Sequence, residues 1–196
     1  MLLLVRHGET EPNRQGLLLG RADPPLTARG RSQGAALAAS LPRPHHVISS
    51  PLHRATDTAA AFGRPFETDE RWIELDYGDL DGRPAASVSP EVWSRFRADP
   101  DFAPAGGESL AALGHRVRSA CDDIAGRAGK DVVIIVTHVS PIKAALAWAL
   151  DAPDTIAWRT FVEDASVSRI DIEPDGPVVR WFNRGVLDAP LSWAWR

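Results

Sequence analysis

The fold is decided by the stretch Leu2-Leu3-Leu4-Val5-Arg6-His7-Gly8-Glu9-Thr10, in which four apolar residues run directly into Arg-His-Gly. A short continuous apolar run predicts a strand that is buried on both faces of a sheet. Ligands of open α/β sheets bind at the carboxyl ends of the strands, so this strand delivers a cation and an imidazole to the expected binding edge. Gly8 allows the backbone to turn sharply there. We expect an anion site in which His7 does chemistry; the alternative is a surface Arg-His pair after an edge strand.

Length and composition restrict the class of protein. A chain of 196 residues with 44% hydrophobic residues is expected to form one domain, residues 1–196, with a substantial core. Because the net charge is −4, the chain has no general attraction for nucleic acid or an acidic membrane, and an anionic ligand must be held by local charges. Cys121 is the only cysteine, which rules out a disulfide within the chain and favours a reducing compartment. No apolar run approaches a membrane span of roughly 20 residues, and we expect a cytoplasmic protein.

Helix and strand patterns alternate along the chain. Helices are predicted over 28–40, 53–62, 91–97, 108–128 and 141–150, and strands over 2–5, 47–50, 66–68 and 132–136. Two further β-rich runs, 167–172 and 178–182, flank a Pro-Asp-Gly turn. The alternation predicts an α/β fold, a three-layer sandwich with a mostly parallel central sheet, helices on both faces and a C-terminal edge hairpin. The segments 11–26 and 70–90 are predicted to be irregular loops.

Two apolar strands each end in a histidine. Val5-Arg6-His7 closes the first strand, and Val136-Thr137-His138 closes the strongest buried strand of the chain. A third strand-to-helix junction places Arg54 in the first turn of a helix, where backbone amides are free. Because an arginine fork matches the oxygens of a phosphate group, two arginines and two histidines at strand ends predict a phosphate pocket, provided that the strands are neighbours.

Four blocks of sequence occur in order at plausible spacings. They are Arg6-His7-Gly8-Glu9-Thr10, Ser49-Ser50-Pro51-Leu52-His53-Arg54-Ala55-Thr56-Asp57-Thr58-Ala59, Gly106-Gly107-Glu108-Ser109 and Thr137-His138. Together they resemble the signature blocks of the histidine phosphatase superfamily, in the branch that contains cofactor-dependent phosphoglycerate mutase. The resemblance covers residues 2 to about 150. It implies a phosphohistidine enzyme that uses no metal and no other cofactor.

The resemblance also implies a role for each site residue. His7 would be the nucleophile, neutral when it attacks phosphorus, with its tautomer fixed by a backbone carbonyl near Gly8. The phosphoryl oxygens would be held by Arg6, Arg54, His138 and the amide of Asn13. Glu74, within Arg71-Trp72-Ile73-Glu74-Leu75-Asp76-Tyr77-Gly78, aligns with the acid/base carboxylate of the family. Its rivals are Asp76, Asp79 and Asp81, and Trp72 is expected near the substrate.

The chain departs from the family pattern at three places. Val139-Ser140-Pro141 follows His138 where one or two glycines are usual, which adds bulk beside the phosphate. Leu19 and Ala85 stand where the glycolytic mutases carry a hydroxyl residue and a lysine. The chain is also shorter than those mutases. These differences favour a phosphatase, similar to α-ribazole phosphatase or the broad-specificity phosphatases of the family, over a mutase.

Three other interpretations stand beside the phosphatase. They are a phosphoglycerate mutase, a catalytically silent phospho-ligand binding module, and a metallohydrolase that uses the two histidines with carboxylates. The last is disfavoured because the neighbouring arginines repel a cation. The partner that we expect is a small-molecule phosphate ester, with no nucleic acid and no membrane. The sequence does not decide the oligomeric state, and a homodimer is one of the alternatives.

Overall fold

The computed structural model describes residues 1–185, and the Trp-rich tail from Asp188 lies outside the described residues. Its strands are Leu2–Arg6 (β1), His46–Ser49 (β2), Glu67–Thr68 (β3), Val133–Thr137 (β4), Ser166–Glu173 (β5) and Gly176–Gly185 (β6). They form one sheet in the order β3-β2-β4-β1-β5-β6. The pairs β3–β2, β2–β4 and β4–β1 are parallel, whereas β5 runs antiparallel to β1 and forms the edge hairpin with β6.

The helices cover both faces of this sheet. They are Glu11–Arg14 (α1), Ala28–Ser40 (α2), His53–Ala60 (α3), Pro90–Ala98 (α4), Leu110–Ala128 (α5) and Val139–Ala149 (α6). On one face, Leu3 and Val5 of β1 pack with residues of α2 and α3. On the other face, Leu2 and Leu4 pack with residues of α4, α5 and α6. Alternate residues of one strand thus enter two cores, and the predicted three-layer α/β fold is confirmed.

The predicted phosphate pocket requires that the strands ending in His7 and His138 are neighbours, and the sheet meets this requirement. β1 and β4 are parallel neighbours in register, with Val5 opposite Val136 and Arg6 opposite Thr137. Their carboxyl ends therefore lie side by side, as the convergence of the two histidines requires. None of the helices within residues 1–185 is both long enough and apolar enough to cross a membrane.

Some predicted elements differ from the observed ones. α6 begins at Val139 rather than at Pro141, with His138 as its N-cap residue. The predicted loop 11–26 contains the single turn of α1, and the segment 70–90 contains the 3₁₀ turns Glu70–Trp72, Gly78–Leu80 and Ala85–Ser87. Such short helices carry too few apolar repeats to give a periodic signal in the sequence.

Candidate active site

The two strand-end histidines meet at the carboxyl edge of the sheet. His7 and His138 follow β1 and β4, and the backbone N–H of His7 donates to the carbonyl oxygen of Thr137 over 3.0 Å. Their ring centroids lie 5.0 Å apart in an edge-on arrangement. Both side chains are buried. The parallel register of β1 and β4 thus places two imidazoles at one point.

The imidazole of His7 is oriented by its neighbouring peptide. Its Nδ1 lies 2.7 Å from the carbonyl oxygen of Gly8. A carbonyl only accepts, so Nδ1 carries the proton and the lone pair of a neutral ring lies on Nε2. Burial, together with the charges of Arg54 and Arg6, holds the pKa of His7 well below its usual value. The ring is therefore neutral at physiological pH, as a nucleophile must be.

The turn after β1 is fixed by a close approach of two backbones. A Cβ on Gly8 would lie 2.3 Å from the carbonyl oxygen of Gly30 in α2, so only glycine fits there. The N–H of Gly8 donates to Oγ1 of Thr58 over 3.1 Å, and that hydroxyl donates to the carbonyl oxygen of Arg54 over 2.7 Å. Thr58 thereby joins the turn that follows β1 to helix α3.

Arg54 is fully buried in the first turn of α3. Its guanidinium donates to the carbonyl oxygens of Gly20 and Ala22 over 2.8 and 2.7 Å. Burial lowers its pKa to about 10, so the side chain remains a cation at neutral pH. Its charge helps to depress the pKa of both His7 and His138 and favours an anion at the same place.

The loop that precedes β5 positions Arg6. Its guanidinium donates to the carbonyl oxygen of Val162 over 2.8 Å and pairs with Asp164 at 2.7 Å. Within residues 1–185, Nε of Arg6, Nε of Arg54 and Nδ1 of His138 are buried without a hydrogen-bond partner. A buried polar group without a partner calls for an explanation, and three of the ten such side-chain atoms in this part of the chain belong to this one cluster.

Glu74 lies at the N-terminus of α6. Its carboxylate accepts the backbone N–H of Val139 and of Ser140, each over 3.1 Å, and that of Leu75 over 2.7 Å. The free amides and the dipole of a helix N-terminus hold a carboxylate in this way. From the other side, Arg116 donates to the carbonyl oxygen of Glu74 over 3.2 Å and pairs with Glu108. Glu74 is thus tied to the same strand–helix junction that carries His138.

A cavity of about 120 Å³ opens on these groups. Its lining consists of Arg6, His7, Asn13, Leu17, Leu18, Leu19, Glu74, Tyr77 and Val139. The carbonyl oxygen of the Asn13 side chain accepts from the N–H and the hydroxyl of Thr10 over 3.1 and 2.6 Å, which leaves its amide nitrogen as the group able to donate to an anion. Arg54 and His138 are fully buried beside this cavity and do not line it.

The three rival carboxylates have other positions. Asp81 accepts three backbone N–H groups of the loop 20–22, Asp76 accepts the N–H of Gly78, and Asp79 is exposed. None of them lines the cavity. Trp72 is fully buried in the core, so the expectation that it lies near the substrate is wrong.

Sequence reasoning missed three residues that orient the site. Ser50 places its hydroxyl 2.6 Å from Nε2 of His138, Thr58 bridges Gly8 and Arg54, and Asp164 pairs with Arg6. Ser50 and Thr58 stand inside the block of sequence that supplied Arg54, so their hydroxyls were available as candidates. Asp164 lies far from every motif, and its role depends on how the chain returns to β5.

The family of the chain follows from a comparison of its whole length with family models. The model of the histidine phosphatase superfamily, branch 1, matches residues 2–185. The chain belongs to this superfamily. The match spans β1 through β6 and includes every residue of the site described above.

Several individual proteins resemble the chain over most of its length. A bifunctional protein of Mycobacterium tuberculosis is 37% identical over 89% of this chain, but the chain spans only 51% of that protein, about half its length. Phosphoserine phosphatase 1 of Hydrogenobacter thermophilus is 33% identical over 93% of this chain and 91% of its own length. The solved structure of the α-ribazole phosphatase of Shigella flexneri superposes with a TM-score of 0.82 at 28% identity, over 93% of this chain and 96% of that one.

Proposed function

We propose that this protein is a metal-independent phosphomonoesterase that hydrolyses a small cytoplasmic phosphate ester through a phosphohistidine at His7. One observation carries the proposal. A neutral imidazole with its Nε2 lone pair available shares a cavity with a buried carboxylate, Glu74, and an arginine, Arg6. A pure binding site for phosphate has no use for a nucleophile with an acid beside it. Two phosphatases, from H. thermophilus and S. flexneri, are among the similar proteins, which supports the reaction class.

In the first half of the proposed reaction, Nε2 of His7 attacks phosphorus and the bond to the ester oxygen breaks. Arg6 and Arg54 neutralise the charge on the transferred phosphoryl group. Glu74 enters this step as the protonated acid and gives its proton to the leaving oxygen, so the alcohol departs neutral. Nδ1 keeps its proton and donates it in a hydrogen bond to the carbonyl oxygen of Gly8. This hydrogen bond stabilises the positive charge of the phosphohistidine ring.

In the second half, water attacks the phosphohistidine. Glu74, now a carboxylate, takes a proton from the water, and the bond between Nε2 and phosphorus breaks. The ring of His7 returns to its neutral form, and inorganic phosphate leaves. The sum is one ester and one water converted into one alcohol and one phosphate, with every group of the enzyme restored.

Side-chain cations supply the neutralisation that a metal ion supplies in other phosphatases. Arg6 and Arg54 both act on the pKa values of the two histidines, so the same charges that favour a phosphate repel a divalent cation. Among residues 1–185, no group of three or more His, Cys, Asp or Glu side chains is arranged to hold a metal. The proposal therefore requires full activity in the presence of a chelator.

The test is hydrolysis of p-nitrophenyl phosphate with EDTA present. The wild-type protein is expected to turn over, and His7→Ala is expected to lose at least about 10³-fold in kcat, since the covalent route is removed. The matched control is His115→Ala, because His115 is an exposed residue of α5. Chelator-sensitive activity, or activity that survives His7→Ala, contradicts the proposal. An inactive wild type that still binds phosphate supports the binding module instead.

A further inference from the structure

Apart from the phenol hydroxyl of Tyr77, which bonds with Ser140, the part of the cavity lining that does not bind phosphate is apolar. Besides Arg6, His7, Asn13 and Glu74, the lining consists of Leu17, Leu18, Leu19, Tyr77 and Val139. Leu18 and Leu19 are 9% and 8% exposed, so these side chains form a wall rather than a mobile rim. The group attached to the phosphate must lie against this surface.

Backbone contacts fix the leucine wall. The N–H of Leu18 donates to the carbonyl oxygen of Arg83, and the N–H of Gly82 donates to the carbonyl oxygen of Leu18, both over 2.8 Å. A Cβ on Gly20 would lie 2.7 Å from the carbonyl oxygen of Leu75. Gly20, which follows Leu19 of the wall, therefore packs directly on the segment that carries Glu74. The wall is therefore set in place relative to the acid.

The nearby cations are engaged elsewhere. Lys143 donates to the carbonyl oxygen of Ala157 over 2.8 Å, and Arg21 lies 3.6 Å from a carboxylate oxygen of Glu108. Arg6 is already paired with Asp164. Within the described part of the chain, Arg6 is the one cation that lines the cavity, and the proposed mechanism commits it to phosphate.

A carboxylate on the alcohol would therefore lose water without gaining a cation to pair with. It would lie against leucine side chains, which is costly for a charge. An uncharged carbon skeleton avoids this cost and gains contact with the wall.

We propose that the alcohol released from this site is uncharged and apolar next to the ester oxygen, unlike the carboxylate-bearing alcohols of phosphoserine and 3-phosphoglycerate. This inference rests on the proposed function, because it concerns the substrate class of the same site. The proposed substrate class differs from phosphoserine, the substrate in the name of the phosphoserine phosphatase that the chain resembles in sequence.

Two matched pairs of esters test the inference. Phenyl phosphate is compared with 4-carboxyphenyl phosphate, and glycerol 3-phosphate with 3-phosphoglycerate. In each pair kcat/KM is expected to be about tenfold or more lower for the carboxylated member, as when one charge is desolvated without a partner. Equal or faster hydrolysis of the carboxylated members overturns the inference while leaving the proposed function intact. If neither phenyl nor p-nitrophenyl phosphate is hydrolysed, the proposed function itself fails.

A substitution in the wall provides the second test. Leu19→Lys adds a cation to the apolar surface, and it is expected to raise the relative kcat/KM of the carboxylated esters at least about fivefold. Leu19→Met keeps the wall apolar at a similar size and is expected to leave the ratio within about twofold of the wild type. An equal change in both variants of the kcat/KM ratio between carboxylated and uncharged esters overturns the role assigned to the wall.

Discussion

Asp81 and Arg54 hold opposite sides of the same loop. The carboxylate of Asp81 accepts the N–H groups of Gly20, Arg21 and Ala22, each over 2.8 Å. The carbonyl oxygens of Gly20 and Ala22 accept from the guanidinium of Arg54. One carboxylate thus orients the two carbonyls that fix the buried arginine of the site.

Removal of this carboxylate is expected to weaken the binding of phosphate. In Asp81→Ala, three backbone N–H groups lose their common acceptor, and the carbonyls that hold Arg54 are no longer fixed. We expect the inhibition constant for vanadate, which mimics the transferred phosphoryl group, to rise about tenfold, equivalent to about 1.4 kcal/mol. The control is Asp79→Ala, which removes an exposed aspartate two residues away. Unchanged vanadate inhibition in Asp81→Ala would show that the loop does not position Arg54.

Thr58→Val tests the bridge between the turn after β1 and helix α3. The substitution keeps the shape of the side chain but leaves the N–H of Gly8 buried without its acceptor. We expect the free energy of unfolding, measured with urea, to fall by about 1–3 kcal/mol. Thr58→Ser retains the hydroxyl and should lose less than half as much. Equal losses in the two variants would mean that the methyl group, not the hydrogen bond, matters.

The buried histidines are expected to make the fold acid-sensitive. Burial and nearby arginines hold the pKa of His7 and of His138 well below the ordinary value of 6.5. As the pH falls below 6.5, the unfolded chain binds protons at these positions and the folded chain does not, so the free energy of unfolding decreases. Each histidine contributes a slope of up to about 1.4 kcal/mol per pH unit.

The measurement is urea unfolding between pH 7 and pH 5 in a buffer free of phosphate, since a bound anion would stabilise the folded state. His138→Gln removes one of the two groups and should flatten the slope in this range. The exposed His115 provides the control, and His115→Gln should keep the wild-type slope. A stability that is constant from pH 7 to pH 5 would contradict the neutral, buried state of the two rings.

Glu74→Gln is expected to separate esters by their leaving groups. The amide cannot give a proton to the departing oxygen, so alkyl phosphates should lose about 100-fold or more in kcat/KM, whereas p-nitrophenyl phosphate should lose much less in bond cleavage. Glu70→Gln, at an exposed position close in sequence, serves as the control. An equal loss for every ester would argue against Glu74 as the acid.

Much of the fold was predictable because its signals are local. The apolar runs of β1 and β4 and the helical repeat of α5 are each visible in a short window of sequence, and α2 follows directly after a threonine, Thr27, whose side chain caps it. The early start of α6 was not predictable in this way. Its first two amides contact the carboxylate of Glu74, 65 and 66 residues away, and no local pattern carries that information.

The residues of the site likewise divide into those that local sequence predicts and those that it does not. His7, His138, Arg6 and Arg54 stand at strand ends or in a first helical turn, so their placement depends only on the order of the strands. Asp164 and Asp81 hold the two arginines through loops whose path is set by tertiary packing. Their sequence surroundings are ordinary, and only the three-dimensional arrangement distinguishes them from solvated surface carboxylates.

The central claim is that His7 becomes phosphorylated during turnover. The direct measurement is a rapid-quench experiment with a ³²P-labelled phosphate ester, stopped in alkali because phosphohistidine is labile to acid, and followed by peptide mapping. The account predicts a transient label on the peptide that contains His7, which forms and decays at rates consistent with kcat. It predicts no label in His7→Ala. Turnover without a labelled intermediate, or a label on any other residue, would contradict it.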